Sequence, residues 1–305
     1  MMNFLINIIF ILIIPFLMLG VIKKTKAFWG GRKGASILQP FFDFIKLVKK
    51  DLVISKTTTG IFKIAPIISF CTVIFASLFI PLVNGMTFVN IPAGFIIFAY
   101  ILGLGKFFSL LGAMDTGSSF EGMGASREAC FTTIVEPAFF VILASIMMIT
   151  GNYTFDSFAK LLVSAGSQGY LVIAFSVLAI FLMILIEGSR VPVDDPETHL
   201  ELTMIHEVMI LDNSGLDLGL LTWGNAIKMM LFSSLIANLI IPVGLSLFVS
   251  SALYVLVMLI VSILIGTIES AMARIRMSHV FEFVFIMTSL ALVVFSLTVA
   301  RGFGG

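Results

Sequence analysis

The chain has 305 residues, of which 59% are hydrophobic and only 11% charged, and its formal net charge is +1. A soluble domain runs near 45–50% apolar and about 25% charged. This chain cannot cover itself with a water-facing surface, which excludes a soluble enzyme, a nucleic-acid-binding protein and a disordered tail.

A membrane span needs about 20 apolar residues, and runs of that kind recur along the whole chain. They cover Phe4 to Ile22, Ile64 to Val83, Ile91 to Leu111, Ala129 to Thr150, Tyr170 to Ile186, Ile227 to Ile241, Phe248 to Ile268 and Phe283 to Ala300. The sixth and seventh are divided at the turn signal Pro242-Val243-Gly244. The pattern predicts an all-α integral membrane protein of about eight transmembrane helices, forming one polytopic domain over residues 1–305.

Two further elements lie between spans. From Ser36 to Lys50, Ile37, Phe41, Phe44, Ile45 and Val48 share one helical face, while Asp43, Lys46 and Lys50 lie on the other and Pro40 suits the first turn. This predicts an amphipathic helix on the membrane surface, either an anchor with its lysines toward anionic lipid or a wall shaped for a partner or substrate. After the fifth span, Glu187 to Ala226 carries Asp194, Asp195, Glu197, Glu201, Glu207, Asp212 and Asp217 against the single Arg190. Asp195 can cap a helix with Pro196 in its first turn, running toward Leu211.

Basic residues orient the stack. Lys23, Lys24, Lys26, Arg32, Lys33, Lys46, Lys49, Lys50, Lys56 and Lys63 follow the first span. Alternation puts Arg127, Arg190, Arg274 and Arg276 on the same side and leaves Lys160 and Arg301 on the other. The expectation is a cytoplasmic basic side, with both termini outside a bacterial or archaeal cell membrane.

Charges inside the spans mark candidate sites, because a charge at span centre costs about 2.5–3.5 kcal/mol or more and turns toward a polar interior. Glu136 lies within the fourth span, and Glu187 closes the fifth, where it can pair with Arg190. Lys106 and Lys228 either snorkel from span ends or join a buried path. In the acidic loop, Glu197 and Glu201 stand one helical turn apart, a proton-holding spacing if buried and a solvated docking face if not. His199 and His206 share roughly one face of that helix and fit a proton relay better than a metal site, since no third ligand stands at a fitting spacing. The two cysteines, Cys71 and Cys130, cannot supply a four-thiolate cluster. No Walker A loop and no dinucleotide fingerprint is present. No cofactor, metal or catalytic residue is expected in this chain.

Several motifs resemble a known family. Glu187-Gly-Ser-Arg190-Val-Pro192-Val-Asp194-Asp-Pro-Glu197, followed by Glu201-Leu202, resembles the fifth-span exit and acidic loop of the respiratory complex I membrane subunit that contacts the peripheral arm. Leu38-Gln39-Pro40, Asp43, Ile45-Lys46-Leu47 and Lys50-Asp51 resemble its surface helix, and Ala273-Arg274-Ile-Arg276 its basic loop before the last span. Within the family, Met114-Asp115-Thr116-Gly117-Ser118-Ser119-Phe120, then Gly124-Ala125-Ser126-Arg127-Glu128-Ala129, is similar to the hydrogenase branch: the membrane subunits of formate hydrogenlyase and energy-converting [NiFe] hydrogenases. Arg32-Lys33-Gly34 keeps only a remnant of the glycine- and proline-rich entry of quinone-reducing members.

The resemblance implies a non-redox membrane subunit. It would seat a peripheral arm and couple electron transfer to movement of protons or sodium ions. Iron–sulfur clusters and the [NiFe] centre would lie in partner large and small subunits, with antiporter-like membrane subunits alongside. Carried over, Glu136, Glu187, Glu197 and Glu201 would be proton-path acids, and Arg190, Asp194, Arg274 and Arg276, with Arg32, would hold the docking surface. The rivals are a quinone-site subunit of a complex I-like assembly, a passive membrane anchor, and an independent ion transporter, for which the sequence offers no inverted repeat.

Overall fold

The computed structural model describes residues 2–303, apart from 84, 86, 152, 153, 156, 157, 159–166, 196–203 and 243. Ten helices are described: α1 Met2–Trp29, α2 Gln39–Val48, α3 Gly60–Ser77, α4 Gly94–Asp115, α5 Ser119–Thr150, α6 Ser167–Glu187, α7 His206–Met209, α8 Gly215–Ile240, α9 Leu247–Ala271 and α10 Met277–Phe303. Eight of them, all but α2 and α7, are long and apolar enough to cross a membrane. With its family relationships below, this makes the chain a multi-pass membrane protein.

The helices pack as a bundle around α8, which contacts α1, α2, α3, α6 and α9; α3 lies along α4, α1 along α9, and α10 covers α5 and α6. Leu231, Leu235, Ile236 and Leu239 of α8 are enclosed. The outer faces run the other way: Ile9 and Ile13 of α1, Leu256 and Ile260 of α9 and Phe285 and Leu292 of α10 are exposed. Large aliphatic and aromatic side chains on the perimeter suit hydrocarbon, with backbone groups satisfied inside each helix.

Local chemistry fixes the helix ends. Asp115, the last residue of α4, receives the Thr59 N–H (2.8 Å), the Thr59 hydroxyl (2.8 Å) and the Phe62 N–H (3.1 Å). One carboxylate thereby stops one helix and caps the unpaired amides that start its neighbour. Gly20 lets the segment before α2 cross α1, because a Cβ there would collide with the Ile37 carbonyl. Gly266 similarly lets α9 meet Ile22 and Thr25 of α1. In α2, Pro40 sits in the first turn as expected. Phe44 packs on Trp223 of α8 (centroids 4.9 Å apart) and on Phe16 of α1 (5.6 Å), so α2 is held by aromatic contacts as well as by its place at the surface.

Several helices exceed their apolar runs. α5 begins at Ser119 rather than Ala129 and α8 at Gly215 rather than Ile227, which brings Glu121, Arg127, Glu128 and Asp217 onto helices. The acidic-loop helix departs from expectation in the other direction. Residues 196–203 lie outside the described part, and beyond them only His206–Met209 is helical before α8. The Asp194 carboxylate takes the backbone N–H groups of Ile205 (3.2 Å) and His206 (2.9 Å). A side chain that captures these amides holds residues 204 and 205 out of helix, so His206–Met209 stands as a separate short turn where a helix continuing to Leu211 was expected.

Candidate functional site

Three charges from three spans meet near one end of the bundle. Lys106 of α4 donates to Glu187 Oε1 at the end of α6 (2.7 Å), and Lys228 of α8 reaches Glu187 Oε2 (3.4 Å). Lys106 also donates to the Thr132 hydroxyl (2.9 Å) and pairs with Glu128 (3.3 Å), both on α5. All four charged side chains are largely buried, Glu187 being 7% exposed. Glu187 therefore pairs across helices and not with Arg190. The reason is local: α6 stops at Glu187, Gly188 follows, and Ser189 has φ 54°, which turns the chain before Arg190 can stack on the helix. Lys106 and Lys228 do not snorkel outward; both point inward, to a shared acid.

The cluster borders a cavity of about 90 Å³ lined by Lys106, Glu128, Glu136, Glu187, His206 and Lys228 among apolar neighbours. Glu136 is half-buried here, directly before Pro137 in the middle of α5. A proline at that place removes one helical N–H and loosens the turn that carries Glu136. The site therefore holds three carboxylates and two ammonium groups in a low-dielectric setting, where a proton can change partners over short distances.

A second charged layer lies closer to the lysine-rich end. Arg190 reaches Glu269 Oε1 (3.4 Å) and Lys26 reaches Glu269 Oε2 (3.2 Å), joining α1, the α6 exit and α9. Arg274 pairs with Asp194 (2.9 Å), and the Ile275 N–H donates to the Pro192 carbonyl (3.1 Å), so the last connection is clasped to the α6 exit. Burial pushes the Asp194 carboxyl above its usual range, against the pull of the His206 N–H, Arg274 and the N–H groups of Asp195 and Ile205. Burial, assisted by Asp194, pushes Glu207 up to about 7. Burial, followed by the Lys228 charge, holds the His206 imidazole down at about 4, so it is neutral near pH 7.

Arg32 and Arg276 are exposed at the same end, where they can meet a partner surface, whereas Arg190, Asp194 and Arg274 are engaged within the chain. Glu197, His199 and Glu201 lie outside the described residues. Cys71 and Cys130 are exposed and form no disulfide. Among the described residues, no three His, Cys, Asp or Glu side chains group as a metal site. Sequence reasoning missed Glu128 and Glu269 as charge partners. Each sits just outside an apolar run; Lys106, a base inside a span, was the available signal for Glu128, while Arg190 was read as the partner of Glu187 and left Glu269 without one.

A second cavity, of about 250 Å³, lies between α1, α2, α8 and the α6 exit. Phe16, Phe44 and Trp223 line it, with Lys23, Arg190, His206 and Glu207 at its polar side.

Comparison with known proteins identifies the family of the chain. Hydrogenase-4 component C of Escherichia coli is 27% identical over 273 residues, spanning 87% of this chain and 85% of that protein. Formate hydrogenlyase subunit 4 of the same organism is 25% identical over 268 residues, spanning 86% of both. An NADH-quinone oxidoreductase subunit from Rhodospirillum rubrum is 28% identical over 218 residues, spanning 68% of this chain and 63% of that one. Among solved structures, a chain of the membrane-bound sulfane sulfur reductase, an archaeal respiratory membrane complex, superposes with a TM-score of 0.81 at 19% identity, covering 98% of this chain and all of that one, and so shares the fold. The family described as NADH dehydrogenase matches residues 2–299, and the chain belongs to it, as a complex I-like membrane subunit.

Proposed function

We propose that this chain is the non-redox membrane subunit of a hydrogenase-type complex, seating a peripheral electron-transfer arm and coupling its redox reaction to ion movement, with protons as the ion. The observation that carries the reading is the buried Lys106–Glu187–Lys228 cluster with Glu128 and Glu136 at its cavity. A passive anchor has no use for five ionisable groups gathered out of water around one cavity, each costly to bury, whereas a proton relay needs them. The E. coli relatives bear the names of hydrogenase and formate hydrogenlyase components, which favours that branch.

Inverted vesicles holding the native complex test the reading. Glu187→Gln should lower proton uptake per electron pair at least tenfold while the complex keeps its subunits. An unchanged ratio refutes coupling through this cluster and leaves the anchor reading. A quinone-site subunit is the second reading, favoured by the aromatic cavity beneath α2. Quinone extracted in equal amount with the purified complex would establish it.

A further inference from the structure

The cavities of about 90 and 250 Å³ share two lining residues, His206 and Asn225. Both place a buried polar atom there that no group among the described residues satisfies: His206 Nε2 and Asn225 Oδ1. Two more buried donors in the same condition, Arg190 Nε and Trp223 Nε1, belong to residues lining the larger cavity. An unsatisfied buried polar atom costs about 1–3 kcal/mol. Such atoms in native proteins are met by ordered water where the site is polar and roomy enough. Both cavities exceed the roughly 30 Å³ that one water occupies in the liquid.

We propose that His206 and Asn225 together hold a water molecule in the wall between the two cavities, and that this water carries protons between the cavity under α2 and the Lys106–Glu187–Lys228 cluster. Asn225 and Lys228 are i, i+3 neighbours on α8, so a proton leaving the wall meets the cluster within one helical turn. A neutral imidazole suits the post, because its Nε2 serves as donor in one tautomer and as acceptor in the other. The bridging water takes one proton from the α2 side as it gives one up toward the Glu187 carboxylate, the acceptor that Lys228 holds beside the wall. One O–H bond forms as another breaks, and no electron moves. The inference rests on the ion-translocation reading above and adds to it the place where the path crosses from one cavity to the other.

The test uses the whole complex in sealed inverted vesicles, with quenching of a pH-sensitive acridine dye normalised to electron turnover. Asn225→Leu keeps the branching at Cγ and removes the Oδ1 acceptor. It should lower protons moved per electron pair at least tenfold, while His206→Gln, which keeps a polar partner for the water, should retain at least half. A high-resolution density map of the wild-type complex supplies a second measurement that requires no variant to fold: ordered water between the two side chains supports the proposal, and a dry wall overturns it. An unchanged ratio in Asn225→Leu also overturns it. Glu187→Gln is measured beside these variants. If it abolishes uptake and Asn225→Leu does not, the wall assignment fails alone; if Glu187→Gln leaves the ratio intact, the translocation reading fails with it.

Discussion

The stability of the bundle should depend on Glu187 more than on any exposed charge. Its carboxylate lies 2.7 Å from one ammonium and 3.4 Å from another. At an effective dielectric constant of about 20, those separations correspond to roughly 6 and 5 kcal/mol of attraction. Desolvation of three ions offsets most of this, so the net value of the cluster is far smaller than the sum. Removing one partner is different, because the desolvation of the others remains. Breaking a buried pair costs about 3–5 kcal/mol, and that is the expected loss for Glu187→Gln in equilibrium unfolding in detergent. Lys106 keeps Glu128 at 3.3 Å, so the larger part of the loss falls on Lys228. Adding Lys228→Met to Glu187→Gln removes the stranded ammonium and should recover part of the loss. The double-mutant cycle should give a coupling of about 1–3 kcal/mol. Strict additivity, within about 0.5 kcal/mol, would show that these side chains do not sense each other and would refute the cluster as an energetic unit.

Three other perturbations probe the layer nearer the lysine-rich end. Glu269→Gln breaks contacts to both Lys26 and Arg190 and should cost about 3 kcal/mol in the same unfolding assay; a loss below about 1 kcal/mol would mean the triad is solvated. Glu207 has a folded pKa of about 7 against an ordinary 4.5, so its stabilising protonated form is fully present below pH 4.5 and is lost as pH rises through 7. Glu207→Gln should therefore match the wild type at pH 4.5 and exceed it by up to about 3 kcal/mol at pH 8, and equal stability at both pH values would place this carboxyl in water. Arg32→Glu combined with Arg276→Glu reverses two exposed charges without touching an internal ion pair and should strip the peripheral subunits from washed membranes; full retention of those subunits would move the seat elsewhere.

Eight spans were legible in the sequence because the bilayer demands about 20 apolar residues each, a constraint that acts on one helix at a time. Span ends were less legible. Ser119 to Glu128 is polar enough to read as a loop, yet tertiary contacts with α7 hold it as the first turns of α5. The sequence flagged Glu136, Glu187, Lys106 and Lys228 as charges out of place, and the structure brings all four to one cavity. It could not pair them, because Lys106, Glu187 and Lys228 are far apart in the chain and meet only through the packing of α4, α6 and α8. The expected Glu187–Arg190 pair fails for a reason of geometry: three-residue spacing makes neighbours only while a helix continues, and this one ends at Glu187.

The order in which these charges occur along the chain bears on how it enters a membrane during synthesis. A lysine at the centre of an inserting helix costs about 2.5–3.5 kcal/mol. α4 delivers Lys106 first, and the helix that follows at once, α5, brings Glu128 to 3.3 Å from it. The α4–α5 hairpin can thus enter with its ammonium already matched. α6 carries no charge until its final residue and needs no help; it leaves Glu187 waiting at the interface. When α8 emerges with Lys228, an acid is already in place to receive it. Base, acid, acid, base is an order of arrival in which no lysine waits longer than one hairpin for its counter-charge. A circular permutant that began at α8 would keep every native contact, yet it would insert its first lysine with no acid in the membrane to meet it.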